Sequence, residues 1–216
     1  EHHARRNDRE WLQSIAPRLV KACKWIAHER TKTKAGGAGV PEHGLMPPGV
    51  NGDWARYAYS FYNDAQYCHG MEMIGLALKS IEHPEAAAIV AEAQQYREDL
   101  VRAYRWSQAR CPVVALSNGT WAPNHPAVLD VFGNIEEMVP PGLDSGRCWC
   151  DSVETGSHHL VANRLVDPLS DDAGWMMDYL EDHQFLRSGW HDYPEEQNRQ
   201  DVFNLGGFGK VQPYYV

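Results

Sequence analysis

The sequence predicts an all-α fold of helical hairpins, with the connectivity of an (α/α) barrel and a small β-hairpin in one long loop. Three observations predict it. Apolar residues recur at helical spacing through several long segments. The joints between those segments alternate long and short, so with antiparallel neighbours every long loop falls on one face. A segment that is apolar nearly all round stands between two amphipathic ones, as inner and outer layers would.

The first helix is expected from about Asn7 to Lys32, where Trp11, Ile15, Leu19, Ala22 and Ile26 form a stripe and Arg18, Lys21 and Lys24 fall between them. Lys34-Ala35-Gly36-Gly37-Ala38-Gly39 breaks it, and a polar, proline-rich loop runs on to Trp54. The second helix, about Ser60 to Ile81, carries Phe61, Ala65, Cys68, Met71, Met73, Ile74, Leu76, Leu78 and Ile81, the pattern of a helix buried on most sides. Glu82-His83-Pro84 is a tight joint, with Pro84 suited to the first turn of the third helix. That helix, about Pro84 to Ala109, turns Ile89, Ala93, Tyr96, Leu100 and Tyr104 inward.

A long non-helical stretch from Cys111 to about Thr155 follows. Within it, Val113-Val114-Ala115-Leu116 and Thr120-Trp121 flank Asn118-Gly119, a hairpin signal. A short fourth helix covers His158 to Val166 and is ended by Pro168. Ser170-Asp171-Asp172 offers an N-cap for a fifth, which carries Trp175, Met176, Tyr179, Leu180 and Phe185 and stops at Gly189. A Gly- and Asn-rich loop then leads to Gln212-Pro213-Tyr214-Tyr215, the start of a sixth.

With 216 residues, 43% of them hydrophobic and 23% charged, the chain suits one or two globular domains and is too rich in aromatics for disorder. It reads as one domain over residues 1–216, incomplete, because it opens without Met and ends on Tyr214-Tyr215-Val216. A net charge of −9 without a basic patch excludes a nucleic-acid backbone binder. No apolar run nears the ~18 residues of a membrane span, and no signal peptide is visible. The five cysteines are odd in number and lack framework spacing, so they read as reduced and structural.

Trp54, Trp121, Trp149 and Trp190 fall in the long loops, with Tyr57, Tyr59, Tyr62, Tyr193, Phe203 and Phe208 in or beside them. The flat face of a pyranose stacks on such rings, while its hydroxyls need nearby amides, carboxylates and His. Small satellite cores beneath long loops are the plainer use for any one of these rings.

Gly44-Leu45-Met46-Pro47-Pro48-Gly49, then Asn51-Gly52-Asp53-Trp54, then Tyr59-Ser60-Phe61-Tyr62-Asn63-Asp64-Ala65 resemble bacterial six-hairpin glycosidase-like proteins. The segments Ala86–Tyr104, Pro112–Thr120 and Phe208–Tyr214 resemble them too. The resemblance implies a twelve-helix (α/α)6 toroid and cleavage of glycosidic bonds in poly- or oligosaccharides, with a leaning toward bacterial export to the periplasm or beyond. Five helices and the start of a sixth amount to half a toroid. The missing half, or a second copy, would cover the apolar edge that a half exposes.

Glycoside hydrolysis commonly uses two carboxyl groups, one protonating the leaving oxygen and one acting as base or nucleophile. Asp64 is the first candidate, at the loop-face end of the buried helix, where burial would raise its pKa and the helix N-terminus would oppose the rise. Asp53, beside Trp54, is the second, and Glu154, before the short inner helix, the third. Each equally suits a cap or a turn. Trp54, Tyr62, Asn63, Trp121, His125, Trp149, His158 and Trp190 are the expected sugar contacts.

A polysaccharide lyase acting on a uronate-containing glycan is the alternative, with His125, His158, Tyr62 and Arg147 as its machinery; the acidic composition argues mildly against it. A non-catalytic carbohydrate-binding domain would keep the aromatics without a working carboxylate pair. Cys148, Cys150, His158 and His159 lack the spacing of a zinc site. Gly36-Gly37-Ala38-Gly39 follows no strand and precedes no helix, so it fails as a phosphate loop. No cofactor is expected, and Met71, Met73, Met176 and Met177 read as core.

Overall fold

A computed structural model describes residues 8–50, 57–133, 156–180 and Asp182. The fold is mostly helical, with five helices and two small antiparallel sheets among those residues. In chain order these are α1 (Arg9–Lys34), β1 (Gly49–Val50), β2 (Tyr57–Ala58), α2 (Phe61–Ser80), α3 (Ala86–Gln108), β3 (Val113–Ala115), β4 (Trp121–Pro123), α4 (His158–Ala162) and α5 (Asp171–Leu180). One domain is the expectation from sequence; the described parts of the chain group into two compact units. The first draws on Glu1–Pro48 and Asp64–Ala103, the second on Gly49–Asn63 and Tyr104–Val216.

In the first unit, α1 starts where Asp8 accepts the Trp11 N–H at 2.9 Å, an N-cap bond. Pro17 lies inside the helix on its exposed side, where the lost amide bond faces solvent. The buried stripe is Leu12, Ala16, Val20, Cys23, Ile26, Arg30 and Thr33. It runs one position on from the expected Trp11, Ile15, Leu19 and Ala22, of which Trp11 and Ala22 are exposed. The cause is polar: Arg30 and Thr33 are anchored inward, and Ile26, Cys23 and Val20 follow in register.

α2 ends in a Schellman motif on Glu82, which adopts φ 57°. The His83 N–H donates to Leu78 O at 3.0 Å and the Glu82 N–H to Lys79 O at 3.1 Å. The tight joint to α3 is thereby closed, and the expected inner stripe of α3 is buried throughout. α2 itself is not buried on most sides within the described residues: Met73 is 42% and Leu76 49% exposed. Its inner line of Ala65, Cys68, Met71, Gly75 and Leu78 meets α3, where a Cβ on Gly75 would stand 2.8 Å from Val90 Cγ2.

In the second unit, β3 and β4 pair with Val114 opposite Ala122. Their turn is longer than two residues: Leu116 O accepts from the Gly119 N–H at 3.0 Å, and Gly119 takes φ 83°. Val114, Leu116, Ala122 and Tyr179 form a core with Trp175 against it. α4 stops at Ala162, four residues short of the expected Val166. Arg164 enters the left-handed region at φ 58°, and a second Schellman motif closes the helix through Leu165 N–H to Leu160 O at 2.7 Å. Pro168 is not what ends it. The expected end of the fifth helix at Gly189 and the sixth helix lie outside the described residues.

Cys23, Cys68 and Cys111 are free thiols, and burial pushes them up to about 11, 12 and 12 respectively. Among the described residues no helix is long and apolar enough to cross a membrane.

Candidate functional site

Two of the expected contacts meet in the second unit. His125 and His158 line one recess with Asn124, Ser157, Met176 and Tyr179, while Tyr62 packs on His159, the neighbour of His158, and is not among the lining residues. The Tyr62 and His159 rings stand edge to face at 4.6 Å, and His158 lies tilted on His159 at 4.4 Å. The recess encloses about 20 Å³, room for one water.

His125 follows β4 and is held from α3. Tyr104 and Gln108, four residues apart, share a helix face, and both reach Nδ1: the Tyr104 hydroxyl at 2.6 Å and Gln108 Nε2 at 3.4 Å. Gln108 is itself fixed, since its Oε1 accepts from Arg105 at 2.6 Å and its Nε2 donates to Asp172 Oδ1 at 2.6 Å. Arg105 also pairs with Asp172 Oδ2. Burial alone would raise the Asp172 carboxyl, but the Arg105 and Gln108 bonds outweigh it and hold the group below its usual range. Burial pushes His125 down to about 4, against the pull of Asp172, so the imidazole is neutral at pH 7.

Two polar atoms here lack a hydrogen-bond partner among the described residues: His125 Nε2 and Asn124 Nδ2. Asn124 is almost wholly buried, and its Oδ1 accepts the His125 N–H at 2.7 Å. A buried donor or acceptor left unpaired costs about 1–3 kcal/mol, so two at one place call for a partner in the recess, a water or a ligand oxygen.

Asp64 lies in the first unit, in the first turn of α2. It is 1% exposed, and its Oδ1 accepts both the Met46 N–H at 2.9 Å and the Tyr96 hydroxyl at 2.5 Å. Burial raises it to about 6, opposed by those two bonds and by Arg30. Arg30 is fully buried: Nε donates to Gly44 O at 2.6 Å, Nη2 to Asp99 Oδ2 at 2.8 Å and Nη1 to Glu92, with the guanidinium over the Tyr96 ring at 4.0 Å. Asp64 and Arg30 thus pin the Gly44-Leu45-Met46 strap.

Trp121 stands on β4, 67% exposed, and the Asn63 N–H is directed to Ser60 Oγ at 3.5 Å. Asp53, Trp54, Trp149, Glu154 and Trp190 lie outside the described residues, as do Arg147, Cys148 and Cys150. No group of three His, Cys, Asp or Glu among the described residues is placed to hold a metal ion. Sequence reasoning missed Asn124, Tyr104, Gln108 and Asp172. The four-residue step from Tyr104 to Gln108 was the available signal, but nothing local says which loop residue it faces.

No family model, curated protein or solved structure matches the chain. The chemistry of the site is therefore inferred from its own residues.

Proposed function

We propose that the chain is a carbohydrate-active protein of glycoside-hydrolase type, half of an (α/α)6 toroid, with the recess of the second unit as part of its sugar site. One observation carries this reading: unpartnered polar atoms of Asn124 and His125 share a recess with His158, whose ring lies tilted on His159 with Tyr62 edge to face beyond it, and an exposed Trp121 stands on the preceding strand. Sugars need both kinds of surface, directional polar partners for hydroxyls and flat rings for their apolar faces. The alternation of long and short joints between α1 and α5 supports the hairpin architecture.

Paired carboxylates would cleave the bond. Asp64 has the raised pKa of an acid catalyst, but it is 1% exposed and engaged by two donors that hold a strap in place. We assign it to that strap and the cleavage to Asp53 and Glu154.

Chromatography with mass spectrometry of products from a broad oligosaccharide panel tests the proposal. Cleavage with uptake of one water is the expected result, and Asp53→Asn and Glu154→Gln should each lower turnover at least ~100-fold while sugar affinity persists. An unsaturated product absorbing in the near ultraviolet would replace hydrolysis with elimination. Binding without product would leave a carbohydrate-binding domain, and neither binding nor product would end the carbohydrate reading.

A further inference from the structure

We infer that His125 and Asn124 form a two-donor site for an uncharged oxygen of the ligand, a sugar hydroxyl or an acetamido carbonyl; the inference rests on the carbohydrate reading and names what that site takes.

The hydrogen bonds fix which atoms carry protons. Gln108 Oε1 accepts from Arg105 and its Nε2 donates to Asp172, so the amide cannot be turned round without losing both bonds. Its Nε2, a donor only, therefore faces His125 Nδ1. The Tyr104 hydroxyl is free to donate to the same atom. Nδ1 is then the acceptor, and a neutral imidazole with an accepting Nδ1 carries its proton on Nε2. Asn124 is oriented by the same logic: the oxygen must be the atom that accepts the His125 N–H, which leaves Nδ2 as the unpartnered atom. Both orphans are thus N–H donors, and what they lack is an acceptor.

The charge of that acceptor follows from the surroundings. The charged groups acting on His125 are Asp172 and Arg105, which pair with each other. Among the described residues that pair leaves no net positive charge acting on His125 to hold an anion, and burial penalises charge of either sign. A uronate carboxylate is therefore disfavoured against a neutral oxygen. The same proton placement removes His125 from the role of resting-state base, because Nε2 is already protonated and Nδ1 is occupied.

Two measurements on the full chain test this. The first is a long-range proton–nitrogen NMR spectrum of the imidazoles at pH 7. A protonated Nε2 on His125 is expected, and a protonated Nδ1 overturns the inference without bearing on sugars. The second is titration with neutral (cello-, xylo- and manno-), N-acetylated (chito-) and uronate (galacturono- and mannurono-) oligosaccharides, following the His125 Nε2 and Asn124 Nδ2 signals. A neutral or N-acetylated oligosaccharide should shift both, and the choice between those two classes separates hydroxyl from carbonyl. Asn124→Asp keeps the oxygen that accepts the His125 N–H but removes the donor, and should weaken that binding roughly five- to ten-fold. Uronates preferred over both neutral classes, or neutral glycan bound with neither signal moving, would overturn the inference while sparing the carbohydrate reading. If no oligosaccharide binds, the carbohydrate reading falls and this ligand class falls with it.

Discussion

Gly44 shows how one residue is committed by its neighbours. It sits at φ 80°, in the left-handed region, and a Cβ there would fall 2.1 Å from Asp99 Oδ2. That carboxylate cannot step aside, because Arg30 holds Oδ2 at 2.8 Å and Arg102 holds Oδ1 at 2.6 Å. Gly44→Ala should therefore cost more than the left-handed strain alone, which is about 1–2 kcal/mol. Displacing one partner of a buried ion pair adds about 3–5 kcal/mol. Gly37 is the control, with φ 82° and nothing within 4 Å of its would-be Cβ. Gly37→Ala should show only the strain. Urea unfolding of both variants decides the matter, and equal shifts would mean the Asp99 contact contributes nothing. Little of this was legible in the sequence. Gly44 lies in a stretch the sequence marks as loop, but nothing local places Asp99, in the third helix, against a glycine so far back in the chain. For Asp64 the helix-start position and the pKa rise from burial were readable, and its partners Met46 and Tyr96 were not.

Whole elements were more legible, because helical periodicity is a local property. α1, α2 and α3 lie within about two residues of their expected bounds, the scatter normal for helix ends. The face of α1 was misjudged because two apolar stripes run along it, and size favoured the one with Trp11. The inward pull of Arg30, a residue that usually faces water, selected the other. The early end of α4 was hidden for a similar reason: Arg164 is a poor guess for a left-handed cap, a place where glycine is usual. The contact of α2 with α3 carries a prediction at this scale. Gly75 admits the Val90 side chain so closely that an added methyl would overlap it at 2.8 Å and press on Ile89 Cγ2 at 3.3 Å. Gly75→Ala should lower stability by about 1–3 kcal/mol despite the better helix propensity of Ala. Adding Val90→Ala should recover part of that loss, since the two changes share one space. Thermal melting of the single and double variants reads the coupling, and strictly additive losses would show that the helices do not meet through this pair.

For the molecule as a whole, two buried groups make stability depend on pH with opposite signs. Asp64 in the first unit is raised from 3.8 to about 6. An acid raised on folding binds more protons when folded, so its contribution is full below about pH 4 and is lost as pH climbs to 6. His125 in the second unit is lowered from 6.5 to about 4. Its folded form binds fewer protons, so its contribution is full above pH 6.5 and is lost as pH falls toward 4. At ~1.4 kcal/mol per pH unit each effect is about 3 kcal/mol, and between pH 4 and 6 they nearly cancel. The parent chain should therefore show less pH dependence across that window than either variant. Asp64→Asn removes the falling limb, and its stability should rise relative to the parent as pH goes from 4 to 6. His125→Gln removes the rising limb, so its stability relative to the parent should fall over the same range. Urea unfolding at half-unit steps from pH 4 to 8 reads both, and the differences between chains cancel the many surface carboxylates common to all three. A difference that stays level with pH for Asp64→Asn would place that carboxyl in contact with water, contrary to its burial. A level difference for His125→Gln would mean the imidazole titrates normally, and the donor role argued for Nε2 would lose its neutral ring.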